Sequence, residues 1–255
     1  MKLRTLGLLG LGALGLLSLP GCKKEEAPSA TTEPEVLSSD DTEAQPVQGG
    51  GTIRGAIAFK GTPPVPKPIE PGSDPICDGM NLVDEAVVVK DGKLANVLVR
   101  VQGAVPGKPA MPPSDLVVID QNRCTYKPRV QGAVQGQRMV LMNSDETLHN
   151  VRGVAGTKTL FNVNQPPLKT KEANAPKDAD LIRLKCDIHP WMTAWVVMSP
   201  NPYFTTSAED GSFSLEGVPE GTYTLEAWHE VLGTRTAQVT VKEGQEALVA
   251  FEFAK

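Results

Sequence analysis

From Ile182 to Cys186 apolar and basic residues alternate, so Ile182, Leu184 and Cys186 share one face and Arg183 and Lys185 the other. A period of two belongs to an extended chain, whose successive side chains point to opposite faces. The pattern recurs in Thr52–Phe59, where Ile53, Gly55, Ile57 and Phe59 fall on one side. It recurs again after Asp91-Gly92, where Val97, Val99 and Val101 oppose Asn96, Leu98 and Arg100. Asp-Gly between two such runs is a hairpin turn signal, joining Ala86–Val89 to Leu94–Val101. Long helical periods are absent, and 24 glycines and 22 prolines mark frequent turns. The fold class expected is all-β.

The first residues set the compartment. Lys2 and Arg4 precede an apolar stretch, Leu6 to Leu19, that is too short and too rich in glycine for a membrane span. It closes on Leu19-Pro20-Gly21-Cys22, which resembles the bacterial lipobox. That resemblance makes residues 1–21 a lipoprotein signal peptide and Cys22 the acylated first residue, a plain secretory signal or single-pass anchor being the alternative. Lys23, where an aspartate would retain the protein at the inner membrane, points to the outer membrane, on its periplasmic face or at the cell surface. Residues 22–51 have no apolar period and read as a disordered tether with a reach of roughly 30 Å. The formal net charge is −5, two units more negative once Lys2 and Arg4 leave with the signal. No basic stripe with interleaved aromatics occurs, so nucleic acid is not expected as a partner.

Of the four cysteines, Cys22 belongs to the lipid and Cys186 to the site described next. Cys77 and Cys124 are then expected to pair, which suits an oxidising compartment and would stabilise by about 4 kcal/mol on chain-entropy grounds. Two free thiols, or a second metal ligand, are the alternatives.

The chain has three histidines, two of them in a telling context. Cys186-Asp-Ile-His189-Pro-Trp-Met192 offers thiolate, imidazole and thioether within one short loop between two strands, and His149 ends a distant strand-like segment. Two imidazoles, a soft thiolate and a weak axial thioether are the donor set of a mononuclear blue-copper site. Taken singly, each residue has a plainer reading: Cys186 as a small core hydrophobe, His189-Pro190 as a turn, Met192 as packing. Met198 is a second candidate for the axial position. His229 is read as a residue of a sandwich strand.

Taken together, the loop is similar to that of the plastocyanin–amicyanin group of cupredoxins, with the short amicyanin spacing and a proline after the histidine. Ser144-Asp-Glu-Thr-Leu-His149-Asn150 resembles the segment that supplies the first histidine there. The resemblance covers roughly residues 85–200. It implies one type 1 copper held by His149, Cys186, His189 and Met192, with Asn150 tying the ligand loops together and Asp187 and Pro190 around them. Leu184 departs from an aromatic common in the group. Arg129 and Arg152 stand where some fused relatives carry histidines, so no second metal site is implied.

Beyond residue 205, Asp210-Gly-Ser-Phe-Ser-Leu215 and Val218-Pro-Glu-Gly-Thr-Tyr-Thr-Leu225 look like the carboxypeptidase-regulatory-like (transthyretin-like) β-sandwich. The expected architecture is therefore a Greek-key cupredoxin sandwich at 85–200 and a smaller sandwich at 201–255. Residues 52–84 form a first strand and Pro-rich connector that either precedes the copper domain or completes the last sandwich. The function implied is single-electron transfer between redox partners, such as a cytochrome or an oxidoreductase, by a monomeric, lipid-anchored, non-enzymatic protein. His189 is the expected exposed edge, with Pro190 and Trp191 as an apolar docking patch. The alternatives are copper capture and delivery, or a metal-free module binding a glycan or protein.

Overall fold

The computed structural model describes residues 49–106 and 114–255. The signal segment, Cys22 and nearly all of the tether lie outside the described residues. Among the described residues no helix is long and apolar enough to cross a membrane.

The described chain is all β and forms two sandwiches, one inserted in the other. The outer one begins with β1 (Gly51–Lys60), β2 (Val89–Lys90), β3 (Lys93–Leu94) and β4 (Leu98–Val101). The chain then builds β5 (Val117–Asn122), β6 (Thr125–Lys127), β7 (Val130–Val134), β8 (Arg138–Asn143), β9 (His149–Ala155), β10 (Lys158–Gln165), β11 (Thr170–Asn174), β12 (Leu181–Lys185) and β13 (Thr193–Ser199). It returns to the outer sandwich with β14 (Phe204–Thr206), β15 (Ser212–Val218), β16 (Gly221–His229), β17 (Gly233–Val241) and β18 (Glu246–Ala254).

The outer sandwich packs the sheet β15-β1-β3-β2, with β18 parallel to β1, against the sheet β14-β4-β16-β17. Its core draws on both: Ile53, Ile57, Phe213 and Phe253 face Val99, Leu225 and Val239. The inserted sandwich packs β10-β9-β12-β13-β7 against β11-β8-β5-β6. Ile182, Leu184 and Val196 of one sheet meet Ile119, Met139 and Leu141 of the other, all buried.

One alternative left open by the sequence is resolved here, and one expected boundary moves. β1 pairs with β15 and β18, so the first strand is part of the last sandwich. The segment 85–101, expected in the copper domain, lies there too: β4 is hydrogen-bonded between β14 and β16. Alternation reports which face of a strand is buried, not which neighbour it pairs with. The 85 boundary therefore moves to the far side of β4, and the inserted sandwich runs over β5–β13. Leu98, on the opposite face of β4 from Val97 and Val99, is buried because it packs on Val130 and Val197 of the inserted sandwich. Around that contact the Trp195 and Trp228 rings sit edge to face 5.5 Å apart. Arg129 forms an ion pair with Glu230, which also accepts from Trp195 Nε1 at 2.9 Å. Gly132 on β7 has no side chain because the Phe204 ring lies where its Cβ would be, 2.2 Å away.

Candidate metal centre

β9 and β12 are hydrogen-bonded neighbours, which brings together two loop regions far apart in sequence. His149 is the first residue of β9, and Cys186 follows the last residue of β12 on its inward face. The turn Cys186–Met192 then leads into β13, with Met192 N donating to His189 O at 3.0 Å. Cys186, Met192, His149 and His189 are all buried.

Three donor atoms converge. His149 Nδ1 and His189 Nδ1 are 2.8 Å apart, and Cys186 Sγ is 3.8 Å from His189 Nδ1. One atom each of His149, Cys186 and His189 lies within 4.8 Å of the other two. Met192 belongs to the same buried cluster as Cys186. Met198, the other axial candidate, lies near the end of β13 remote from the loop, its N–H held by Asp180 O.

Each imidazole is oriented by a carboxylate at its other nitrogen. His149 Nε2 lies 2.9 Å from Asp145 Oδ2, and His189 Nε2 lies 3.0 Å from Asp74 Oδ2. Donation of Nε2–H to a carboxylate leaves the lone pair on Nδ1, the atom facing Cys186. Two such lone pairs 2.8 Å apart repel unless a proton or a cation lies between them. The geometry therefore suits a cation held by His149, His189 and Cys186, and the thiolate–imidazole–thioether chemistry suits copper; methionine is a poor zinc ligand.

Electrostatics agree with a proton in that position in the metal-free protein. Burial disfavours charge on His149, but hydrogen bonds to Asp145 and Cys186 outweigh it and raise its pKa to about 9. Burial would raise the Cys186 thiol, yet its hydrogen bonds, that from His149 foremost, hold it below the ordinary range. His189 is pushed down by burial and by the His149 charge, against the pull of Asp74. Asp145 is likewise lowered: burial opposes this, while His149 and the Arg123 and Cys124 amides stabilise its charge. Those amides donate to Asp145 at 2.6 and 2.9 Å from the β5–β6 turn.

Asn150 joins the ligand regions. Its Oδ1 accepts from Asp187 N at 2.7 Å and lies 3.4 Å from Cys186 Sγ, while its Nδ2 donates to Asp187 Oδ2 at 2.9 Å. Asp187 also pairs with Arg152 at 3.2 Å. Arg129 and Arg152, noted in the sequence as replacements for histidines, are thus both ion-paired with carboxylates. Pro190 is exposed at the turn.

Cys77 and Cys124 form a disulfide. It staples the Pro-rich connector between β1 and β2 across the site, where Cys77, Leu82 and Cys124 pack with Ile69, Met80 and Trp191. Cys77 Sγ lies 3.8 Å from His189 Nε2. Thr147 Oγ1 donates to Asp74 at 2.7 Å, fixing the connector to the loop before His149. His189 is consequently only 1% exposed, not the open edge the sequence led us to expect. Trp191 is half-buried, with Nε1 donating to Cys124 O at 2.9 Å, so the expected apolar patch reduces to Pro190 and part of one indole. Two further groupings, Asp74–Cys77–His189 and Cys124–Asp145–His149, each use a disulfide sulfur and so offer no thiolate.

Sequence reasoning missed Asp145 and Asp74. Asp145 carries a local signal, an acid four residues before His149. Asp74 carries none, because it sits in an aperiodic connector 115 residues from its partner.

Residues 191–249 match the family described as "Polysaccharide lyase family 4, domain II". No curated protein matches the chain. Among solved structures, a purple cupredoxin from Nitrosopumilus maritimus is 20% identical, with 32% of this chain and 99% of that one covered at a TM-score of 0.29. A reduced Cu(I) form of an amicyanin variant is 18% identical, covering 40% of this chain and 98% of that one at a TM-score of 0.30. The copper-containing nitrite reductase of Thermus scotoductus is 18% identical over 38% of this chain and 25% of that one, at a TM-score of 0.30.

Proposed function

We propose that the protein is a type 1 copper electron carrier of the bacterial envelope, with His149, Cys186, His189 and Met192 as ligands of a single copper. The observation that carries this reading is the convergence of two Nδ1 atoms on the Cys186 sulfur, each imidazole being held from behind by a carboxylate. Copper bound there would cycle between Cu(I) and Cu(II), taking up and releasing one electron.

The chain's own residues do the rest. Asp145 and Asp74 keep both Nδ1 lone pairs aimed inward, and Asn150 holds the Cys186 loop against His149. The buried cluster around Met192 excludes water and limits rearrangement between the two oxidation states. Burial of all four side chains favours electron transfer over copper delivery, which calls for an exposed and labile site. In this reading the protein is monomeric, catalyses no reaction of its own, and serves a cytochrome or another oxidoreductase. Lipidation of Cys22 would tether it to the outer membrane, which mass analysis of the mature N-terminal peptide tests.

The match of residues 191–249 to a polysaccharide lyase domain favours one other reading, in which the outer sandwich is a binding module and the inserted one binds no metal. A Cu(II) titration followed by visible absorption separates the two. An intense thiolate-to-copper band, lost in Cys186→Ala, supports the carrier. A colourless or control-insensitive mixture leaves the binding module.

A further inference from the structure

With His189 sealed beneath the connector, Cys186 is the proposed ligand that directly continues a strand, β12, with an open, charged outer face. The outward face of β12 carries Arg183 and Lys185, and Lys185 is one peptide bond from the ligand. Lys185 is paired with Arg152 of β9 across the sheet, so three cations gather on this face. With Val154, Thr159 and Trp195 they line an open groove of about 520 Å³. Arg183 stacks over Trp195, 5.5 Å from the ring centre. Among the described residues neither Arg183 nor Lys185 has a carboxylate partner within salt-bridge distance, whereas Arg152 is held by Asp187. This is a cationic surface on a chain of net charge −5. A second connection reaches it: Cys186 Sγ, Asn150, Asp187 and Arg152 follow one another at 3.4, 2.9 and 3.2 Å.

We propose that the groove between β9, β12 and β13 docks a carboxylate-rich surface of a soluble redox protein, and that electrons pass through Cys186 and the β12 backbone instead of the His189 edge. The inference rests on the copper reading above. Opposite charges raise the encounter rate, and the cations place the partner beside the strand that ends at the sulfur ligand.

The test is stopped-flow reduction of the Cu(II)-loaded protein at low ionic strength, using anionic hexacyanoferrate(II) and cationic hexaammineruthenium(II) as probes. Charge reversal by Arg183→Glu with Lys185→Glu should lower the hexacyanoferrate rate roughly tenfold and raise the ruthenium rate, with the blue band intact. Arg183→Gln with Lys185→Gln should give an intermediate effect. Lys171→Glu with Lys242→Glu makes the same change in net charge at exposed sites elsewhere. That control should shift each rate by less than about twofold. Equal effects of the two reversals, or none, with the band intact, would overturn the docking groove while leaving the copper reading standing. Absence of the band in the unaltered protein would overturn both.

Discussion

Asp74 Oδ2 sits 3.0 Å from His189 Nε2, although 115 residues separate them. The carboxylate comes from the connector between two strands of the outer sandwich and closes over a loop of the inserted one. The orientation of the His189 imidazole and the sealing of its outer edge thus both depend on a segment outside the inserted sandwich.

Removing that carboxylate should loosen the site without abolishing it. Asp74→Ala is expected to retain the visible band while Cu(II) affinity falls by about 10- to 100-fold, the usual cost of losing a carboxylate behind a ligating histidine. Competition against a chelator of known affinity measures this. Unchanged affinity would mean that Asp74 only fastens the connector.

The disulfide should act on the same element. Cys77→Ser with Cys124→Ser is expected to destabilise the protein by about 2–5 kcal/mol and to expose His189. Denaturant unfolding reads the first effect, and hydrogen exchange of the connector amides the second. Protected connector amides in the variant would show that Asp74 and Thr147 suffice to hold it.

In the metal-free protein His149 should be an imidazolium at neutral pH. Its folded pKa, about 9, lies above the ordinary 6.5. Its contribution to stability is therefore full below about 6.5 and lost as pH rises through about 9. Copper must displace that proton, so Cu(II) binding near pH 7.5 should release protons measurably in weakly buffered solution. Binding without proton release would contradict the arrangement.

His229 should behave in the opposite sense in the outer sandwich. It is buried, its Nδ1 accepts the Val231 and Leu232 amides at 3.1 and 3.2 Å, and burial lowers its pKa to about 4. The stability it contributes is full above 6.5 and lost as pH falls toward 4, on the order of 3 kcal/mol. His229→Asn, which can keep an acceptor, should flatten the stability profile over that interval. An unchanged profile would place the acid sensitivity elsewhere.

The part of this fold legible in the sequence is the part governed by short periods. Ile182, Leu184 and Cys186 fall on the buried face because a strand repeats every two residues, and His189 and Met192 follow within one turn. Strand partnership is another matter. β4 alternates as a strand in either sandwich would, and only its pairing with β14 and β16 assigns it. The closure of His189 was illegible for a related reason: a Pro-rich connector has no period, and nothing local to Asp74 indicates a partner so far along the chain.

The central claim, that this site carries one electron at a time, is tested most directly by a spectroelectrochemical titration of the copper-loaded protein. The account predicts a charge-transfer band that bleaches with one electron per protein and returns fully on reoxidation, through repeated cycles without loss of metal. A band that bleaches irreversibly, with copper released on reduction, would contradict it and make the protein a copper donor.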